Sequence, residues 1–149
     1  ELDEGEKTIY TANIIVNTIL NNKLRNAQKR HIATEASVLV PKQMNLDYSA
    51  AGILLGNLLD NAIEACEKLA SKENKFIRVY IGVFKKQFYM FVSNSTDQKK
   101  RTKKYLSMKG EGHGFGLQRI DKIIHDKNGY LNRQNEPGVF ATEIMLPYI

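Results

Sequence analysis

The stretch GNLLDNAIEAC, Gly56 to Cys66, decides how the rest of the chain is read. It lies in a run from about Ala50 to Ala70 whose apolar residues recur at three- and four-residue spacing: Leu54, Leu55, Leu58, Leu59, Ala62, Ile63, Cys66 and Leu69. That period marks a helix with one face in a core. At about 100° per residue, Asn57, Asn61 and Glu64 fall in a wedge of roughly 60° on another face, with Asp60 at its edge. A solvated polar face is the ordinary reading of such a wedge. Two asparagines one turn apart argue against it, because the Asn side chain competes for the backbone and weakens a helix. Ala62, directly after them, leaves room for something to lie close.

Working outward, ELDEGEKTIYTANIIVNTILNNKLRNAQKR is expected to form a helix with Ile9, Ala12, Ile15, Val16, Ile19, Leu20, Leu24 and Ala27 as its stripe. Lys23, Arg25, Lys29 and Arg30 crowd its C-terminal half, where cations suit the helix dipole. A strand follows near Ile32 to Val38, closed by Pro41, and Asp47 or Ser49 is the cap of the central helix. FIRVYIGVFKKQFYMFVSN reads as a hairpin broken at Lys85-Lys86, without the favoured Asn-Gly turn. Ser95 to Gly114 lacks periodicity, and so long an irregular segment in a compact domain suggests a lid over a site or a disordered loop. FGLQRIDKIIHDKN is a helix with Leu117, Ile120, Ile123 and Ile124 inward and Asn128-Gly129 as its stop. Two strands, GYLNRQ and GVFATEIMLPY, end the chain around a turn at Asn135 to Gly138. The order is α–β–α–β–β–lid–α–β–β, an α+β fold with helices on one face of a mixed sheet.

With 149 residues, 42% of them hydrophobic and 26% charged, the chain is one domain with a real core. Its single cysteine, Cys66, falls on the apolar side of the central helix, so no disulfide framework exists and a reducing compartment is expected. No signal peptide is visible, and no apolar run approaches the ~20 residues that span a bilayer. The chain begins at Glu1 rather than Met and is expected to be a piece of a longer protein whose remainder could hold a membrane domain. Net charge is +6, but the excess sits in Lys99, Lys100, Arg101, Lys103 and Lys104. That cluster is the one feature pointing toward nucleic acid, and no aromatic interleaving or recognition motif accompanies it.

A second stretch, KGEGHGFGLQRI, alternates Gly110, Gly112, Gly114 and Gly116 just before a helix. Glycines there permit close backbone approach, and the free N–H groups of a helix start form a phosphate site. Lys109 adds a positive charge. No Walker loop or dinucleotide fingerprint is present, and a plain flexible loop is the competing reading. Paired with Asn57 and Asn61, however, the segment has a partner: carboxamide oxygens suit Mg²⁺, which is commonly held by few protein ligands together with substrate phosphates.

In this order and spacing the motifs resemble a known superfamily. Asn57-x-x-x-Asn61-Ala62 is similar to the N-box of the Bergerat-fold (GHKL) ATPases and kinases, and Gly112-x-Gly114-x-Gly116-Leu117 resembles their later Gly-rich box. TANIIVNTILNNKLRNAQKR followed by NLLDNAIEAC and GHGFGL looks like the peptide-pheromone, quorum-sensing AgrC-like branch of bacterial sensor histidine kinases. The resemblance implies a two-layer α/β sandwich binding ATP·Mg²⁺ between the central helix and the lid. By position, Asn61 would be the Mg²⁺ ligand and Asn57 would support metal or phosphate, and these two would be the catalytic pair. Lys109, Gly112, His113, Gly114, Phe115, Gly116 and Leu117 would meet the phosphates, with Glu64 and Asn94 completing the nucleotide site. Residues 1–29 would be the end of a dimerisation and phosphotransfer region, and 30–149 the catalytic domain. The γ-phosphate would pass to a histidine on that upstream segment for relay to a response regulator. The whole would be a homodimer anchored in the membrane, with this domain in the cytoplasm.

Two departures qualify this. The Asp of the family's Asp-x-Gly-x-Gly, which accepts from the adenine amino group, is absent, and Asn94 stands there instead. An amide oxygen can accept the same bond, but without charge assistance. At the first N-box position, hydrolytic members carry a water-activating Glu. Asn57 has no basicity, so the site looks built for transfer. Glu64 is a weak candidate base. His31, His113 and His125 lack the context of a phosphoacceptor and read as structural or surface residues. Alternatives are a related serine kinase and a degenerate scaffold, or pseudokinase, that has lost ATP with its adenine Asp.

Overall fold

In the computed structural model, residues 8–42, 46–70, 74–97 and 114–147 are described, the side chains of 114 and 115 excepted. The elements are α1 (Ile14–Lys29), β1 (Ala33–Val38), α2 (Tyr48–Glu67), β2 (Phe76–Phe84), β3 (Gln87–Ser95), α3 (Gly114–Asp126), β4 (Tyr130–Glu136) and β5 (Val139–Pro147). Five strands form one mixed sheet in the order β1-β2-β3-β5-β4. Only β1 and β2 run parallel, across the α2 crossover, and the other pairs are antiparallel. This is the α+β arrangement expected from the element order.

Alternation in the strands sends one set of side chains inward: Ile77, Val79 and Ile81 of β2, Phe88, Met90 and Val92 of β3, and Ile144 and Leu146 of β5, all buried. The helices cover that face. α2 lies at its centre and packs on α1, on α3 and over β3. Its buried residues are Ala51, Leu54, Leu55, Leu58, Leu59, Ala62, Ile63 and Cys66, the stripe that its periodicity predicts. From α1, Val16, Leu20, Leu24 and Ala27 join the same core, as do Ile120 and Ile124 of α3.

Local chemistry sets the boundaries. The first helix does not run from the start of the chain: it begins at Ile14, because Asn13 caps it by accepting from the N–H groups of Ile15 and Val16. Ile9 and Ala12 therefore precede the helix, although Ile9 still packs against the core. α1 ends in a Schellman motif with His31 at the left-handed position, φ 63°, where Ile32 N donates to Ala27 O and His31 N to Gln28 O. α3 ends the same way at Asn128, φ 57°, with Gly129 N donating to Ile124 O at 2.8 Å. Gly129 is obligatory: a Cβ there would stand 2.6 Å from Leu146 Cδ2 and 2.8 Å from the Met145 carbonyl. The β2–β3 hairpin turns on Lys85 and Lys86, both at positive φ, the geometry that the strand twist demands even without glycine. The final turn is tighter than expected. Asn135 and Glu136 belong to β4, paired with Phe140 and Val139, so only Pro137 and Gly138 form the loop.

Candidate functional site

Asp47 caps α2, its side chain accepting from Ala50 N at 2.7 Å, which sets where the helix begins. With the apolar stripe inward, Asn57 and Asn61 are half-buried on the side toward α3, while Asp60 and Glu64 are exposed. Gly116 of α3 faces both carboxamides. A Cβ placed on it would lie 3.7 Å from Asn57 Cγ, 3.8 Å from Asn57 Oδ1 and 3.8 Å from Asn61 Oδ1. The two oxygens thus converge on one point of bare backbone at the start of α3. The first N–H groups of that helix have no intrahelical partner and carry the positive end of its dipole.

Asn57 adds a second signal. Its Nδ2 is buried with no hydrogen-bond partner among the described residues. A buried donor left unpaired costs about 1–3 kcal/mol, and one retained in a folded protein calls for an explanation such as a bound ion, water or ligand. The donor set fits a divalent cation held jointly with a polyphosphate: amide oxygens for the hard metal, an amide N–H for a phosphate oxygen. Among the described residues no group of three or more His, Cys, Asp or Glu side chains could hold a metal by itself. A metal between α2 and α3 would therefore have to share its coordination with a ligand or water.

Asn94 points inward from β3 in phase with Met90 and Val92 and is 3% exposed. Its Nδ2 donates to the Ser95 carbonyl at 2.9 Å, leaving Oδ1 as the acceptor. Ser95 Oγ accepts from Phe76 N at 3.0 Å, and Cys66 Sγ reaches Phe76 O at 3.4 Å and Ser95 Oγ at 3.5 Å, which ties the end of α2 to β2 and β3. Burial pushes the Cys66 thiol up, while its bonds to Ser95 and Phe76 pull it partly back, so it is an inert packing residue.

Of the residues expected in the site, Asn57, Asn61 and Gly116 come together. Asn94 lies in the adjoining layer of the sheet. Leu117 is half-buried against the core, and Gly114 and Phe115 form the first turn of α3. Glu64 stands on the exposed side of α2. Lys109, Gly112 and His113 lie outside the described residues, as do the basic run 99–104 and most of the expected lid. His31 is a helix stop, and His125 is exposed beside Asp126 on α3. Sequence reasoning placed Asp60 at the edge of the polar wedge but missed Lys23 and Arg119 as its neighbours. All three line, with Asn57, Gly52 and Gly56, a cavity of about 370 Å³ between α1, α2 and α3. Lys23 and Asp60 meet through a contact 37 residues apart in sequence, and Arg119 joins them from α3.

The described residues include no helix long and apolar enough to cross a membrane. No curated protein matches the chain. Solved structures match it in fold. The catalytic domain of histidine kinase ThkA is 20% identical with a TM-score of 0.69, each chain covered to 91%. The histidine kinase domain of a blue-light activated kinase from Erythrobacter litoralis is 13% identical with a TM-score of 0.68, over 99% of this chain and 66% of that one. Full-length ShkA, solved in complex with AMPPNP, is 14% identical with a TM-score of 0.69, and this chain spans 33% of its length. A family model described as the GHKL domain matches residues 46–147, from the residue before the Asp47 cap to the end of β5. That span holds both asparagines, Gly116 and the whole β2–β5 layer, and the chain belongs to the GHKL family of ATP-binding domains.

Proposed function

We propose that this chain is the catalytic domain of a bacterial sensor histidine kinase of the AgrC-like branch, which binds Mg·ATP and passes its γ-phosphoryl group to a histidine. One observation carries the reading: two carboxamide oxygens converge on Gly116 at the start of α3, beside a buried amide donor that has no partner. Asn61 and Asn57 would hold a Mg²⁺ ion, which when bound neutralises charge on the β- and γ-phosphates. The N–H groups at the start of α3 cradle phosphate oxygens, and Asn57 Nδ2 donates to one of them. Asn94 Oδ1 accepts from the adenine amino group. Asn57 cannot take a proton from water, so the site favours positioning over hydrolysis. α1 joins the core through Val16, Leu20 and Leu24, so residues 1–29, as the end of a dimerisation region, would be coupled to the domain through it. The acceptor histidine lies on that upstream region, a response regulator receives the phosphoryl group, and the domain works on the cytoplasmic side of a membrane-anchored dimer.

Calorimetry with ATP, with and without Mg²⁺, tests the site. The wild-type chain binds only with the metal present, and Asn61→Ala loses the metal-dependent part while keeping its circular dichroism spectrum. Equal binding by wild type and Asn61→Ala would remove the metal-ligand role. Incubation with radiolabelled ATP tests the transfer reading: no acid-labile label forms on His31, His113 or His125. The neutral Asn94 favours a second reading, an ATP-free scaffold, which predicts no heat with ATP under either condition.

A further inference from the structure

Lys23 leaves the middle of α1 and lays its stem across α2 at Gly56, where a Cβ would stand 4.0 Å from Lys23 Cε. Its Nζ then donates to Asp60 Oδ1 at 2.7 Å. The side chains are 29% and 53% exposed, so the pair does little for stability. Glycine inside a helix is unfavourable relative to alanine, and Gly56 has neither a left-handed φ nor any other neighbour within 4 Å of a Cβ. A Cβ here would meet the lysine stem at ordinary van der Waals distance, and only a larger side chain would fill the path the stem takes. Asp60 sits one residue before Asn61 and three after Asn57, which on a helix places its Cβ about 5–6 Å from that of Asn57. Lys23, Asp60 and Asn57 all face the 370 Å³ cavity, and Asp60 is the one carboxylate among its lining residues. A carboxylate so close to a polyphosphate site would repel the ligand unless a cation held it, and the cation that does so comes from another helix.

We propose that Lys23 is a positioning residue for the nucleotide site: held across Gly56, it compensates Asp60 and makes affinity for Mg·nucleoside triphosphate depend on how α1 seats on α2. The inference rests on the nucleotide reading above. If α1 shifts, the lysine withdraws, Asp60 faces the phosphates uncompensated and the nucleotide is released. α1 thereby reports its position to the N-box through one ion pair.

Titration calorimetry with Mg·ATP at about 20 mM and about 500 mM salt, on the wild-type chain and four variants, tests this. Lys23→Met raises Kd about fivefold at low salt, and the difference shrinks at high salt, where exposed charges are screened. Asp60→Asn does not weaken binding, and Lys23→Met/Asp60→Asn returns to within about twofold of wild type, a rescue that a merely structural lysine would not give. Gly56→Leu keeps both charges but bars the crossing, and it weakens binding in the same direction as Lys23→Met. A wild-type chain that gives no heat with Mg·ATP overturns the nucleotide reading itself. Wild-type binding with Lys23→Met unmoved, or with Asp60→Asn failing to rescue it, overturns the role of Lys23 alone.

Discussion

Replacing Asn57 with leucine should make the chain more stable and abolish its ligand response. Asn57 Nδ2 is buried without a partner, and removing such a donor recovers about 1–3 kcal/mol of desolvation cost. Leucine is close to asparagine in shape, and it is the better helix former by about 0.4 kcal/mol at a position inside α2. Gly116 leaves room, since even a Cβ on it would lie 3.7 Å from the branch atom of residue 57. Discounting for two methyl groups that must find contacts, the net gain is about 1–2 kcal/mol, or roughly 2–8 °C in melting temperature for a domain of this size. The ligand acts oppositely. At a hundred times its Kd, Mg·ATP stabilises the wild type by about 2.7 kcal/mol and should leave Asn57→Leu unmoved. The two melting curves therefore cross: the variant melts higher without ligand, the wild type higher with it. Thermal denaturation followed by circular dichroism, in both conditions, reads this directly. A variant that melts below wild type without ligand would refute the orphaned-donor argument, and one that keeps the full ligand shift would refute the placement of Asn57 in the site.

Gly129→Ala should lower stability by about 1–3 kcal/mol, because its methyl meets the Met145 carbonyl as well as Leu146 in a packed core, and urea denaturation would show it. Tyr89 donates to Glu143 Oε2 at 2.6 Å, and desolvation, followed by the hydrogen bond to that carboxylate, pushes its phenol up to about 12. The folded state thus holds this proton more tightly than the unfolded chain. The contribution is fully present below pH ~10 and is lost as pH rises toward 12. Absorbance titration should show one tyrosine ionising near pH 12 that disappears in Tyr89→Phe, and an unchanged titration curve would disprove the assignment. Cys66 should resist thiol reagents until the domain unfolds, so labelling proceeds no faster than global unfolding, and labelling far faster would contradict its burial.

Periodicity alone carried much of this fold. The α2 stripe from Leu54 to Cys66 repeats every three to four residues and the β2 and β3 runs alternate, and the observed elements bury both sets. Asn57 and Asn61 were legible for the same reason: a helix that hides its leucines fixes where its asparagines point. Boundaries were less legible, because caps compete locally. Asn13 starts α1 well inside a segment whose composition suits a longer helix, and strand pairing with Phe140 draws Asn135 out of the turn. Contacts between distant segments were not legible at all. That Gly116 closes on both carboxamides, that Asn57 Nδ2 has no partner, and that Lys23 crosses Gly56 to reach Asp60 depend on how α1 and α3 pack against α2. Local propensity is a property of neighbours in sequence, and the chain states it directly. The angle and depth at which two helices meet depend on the summed shape of many side chains, so these juxtapositions exist only once the core has formed.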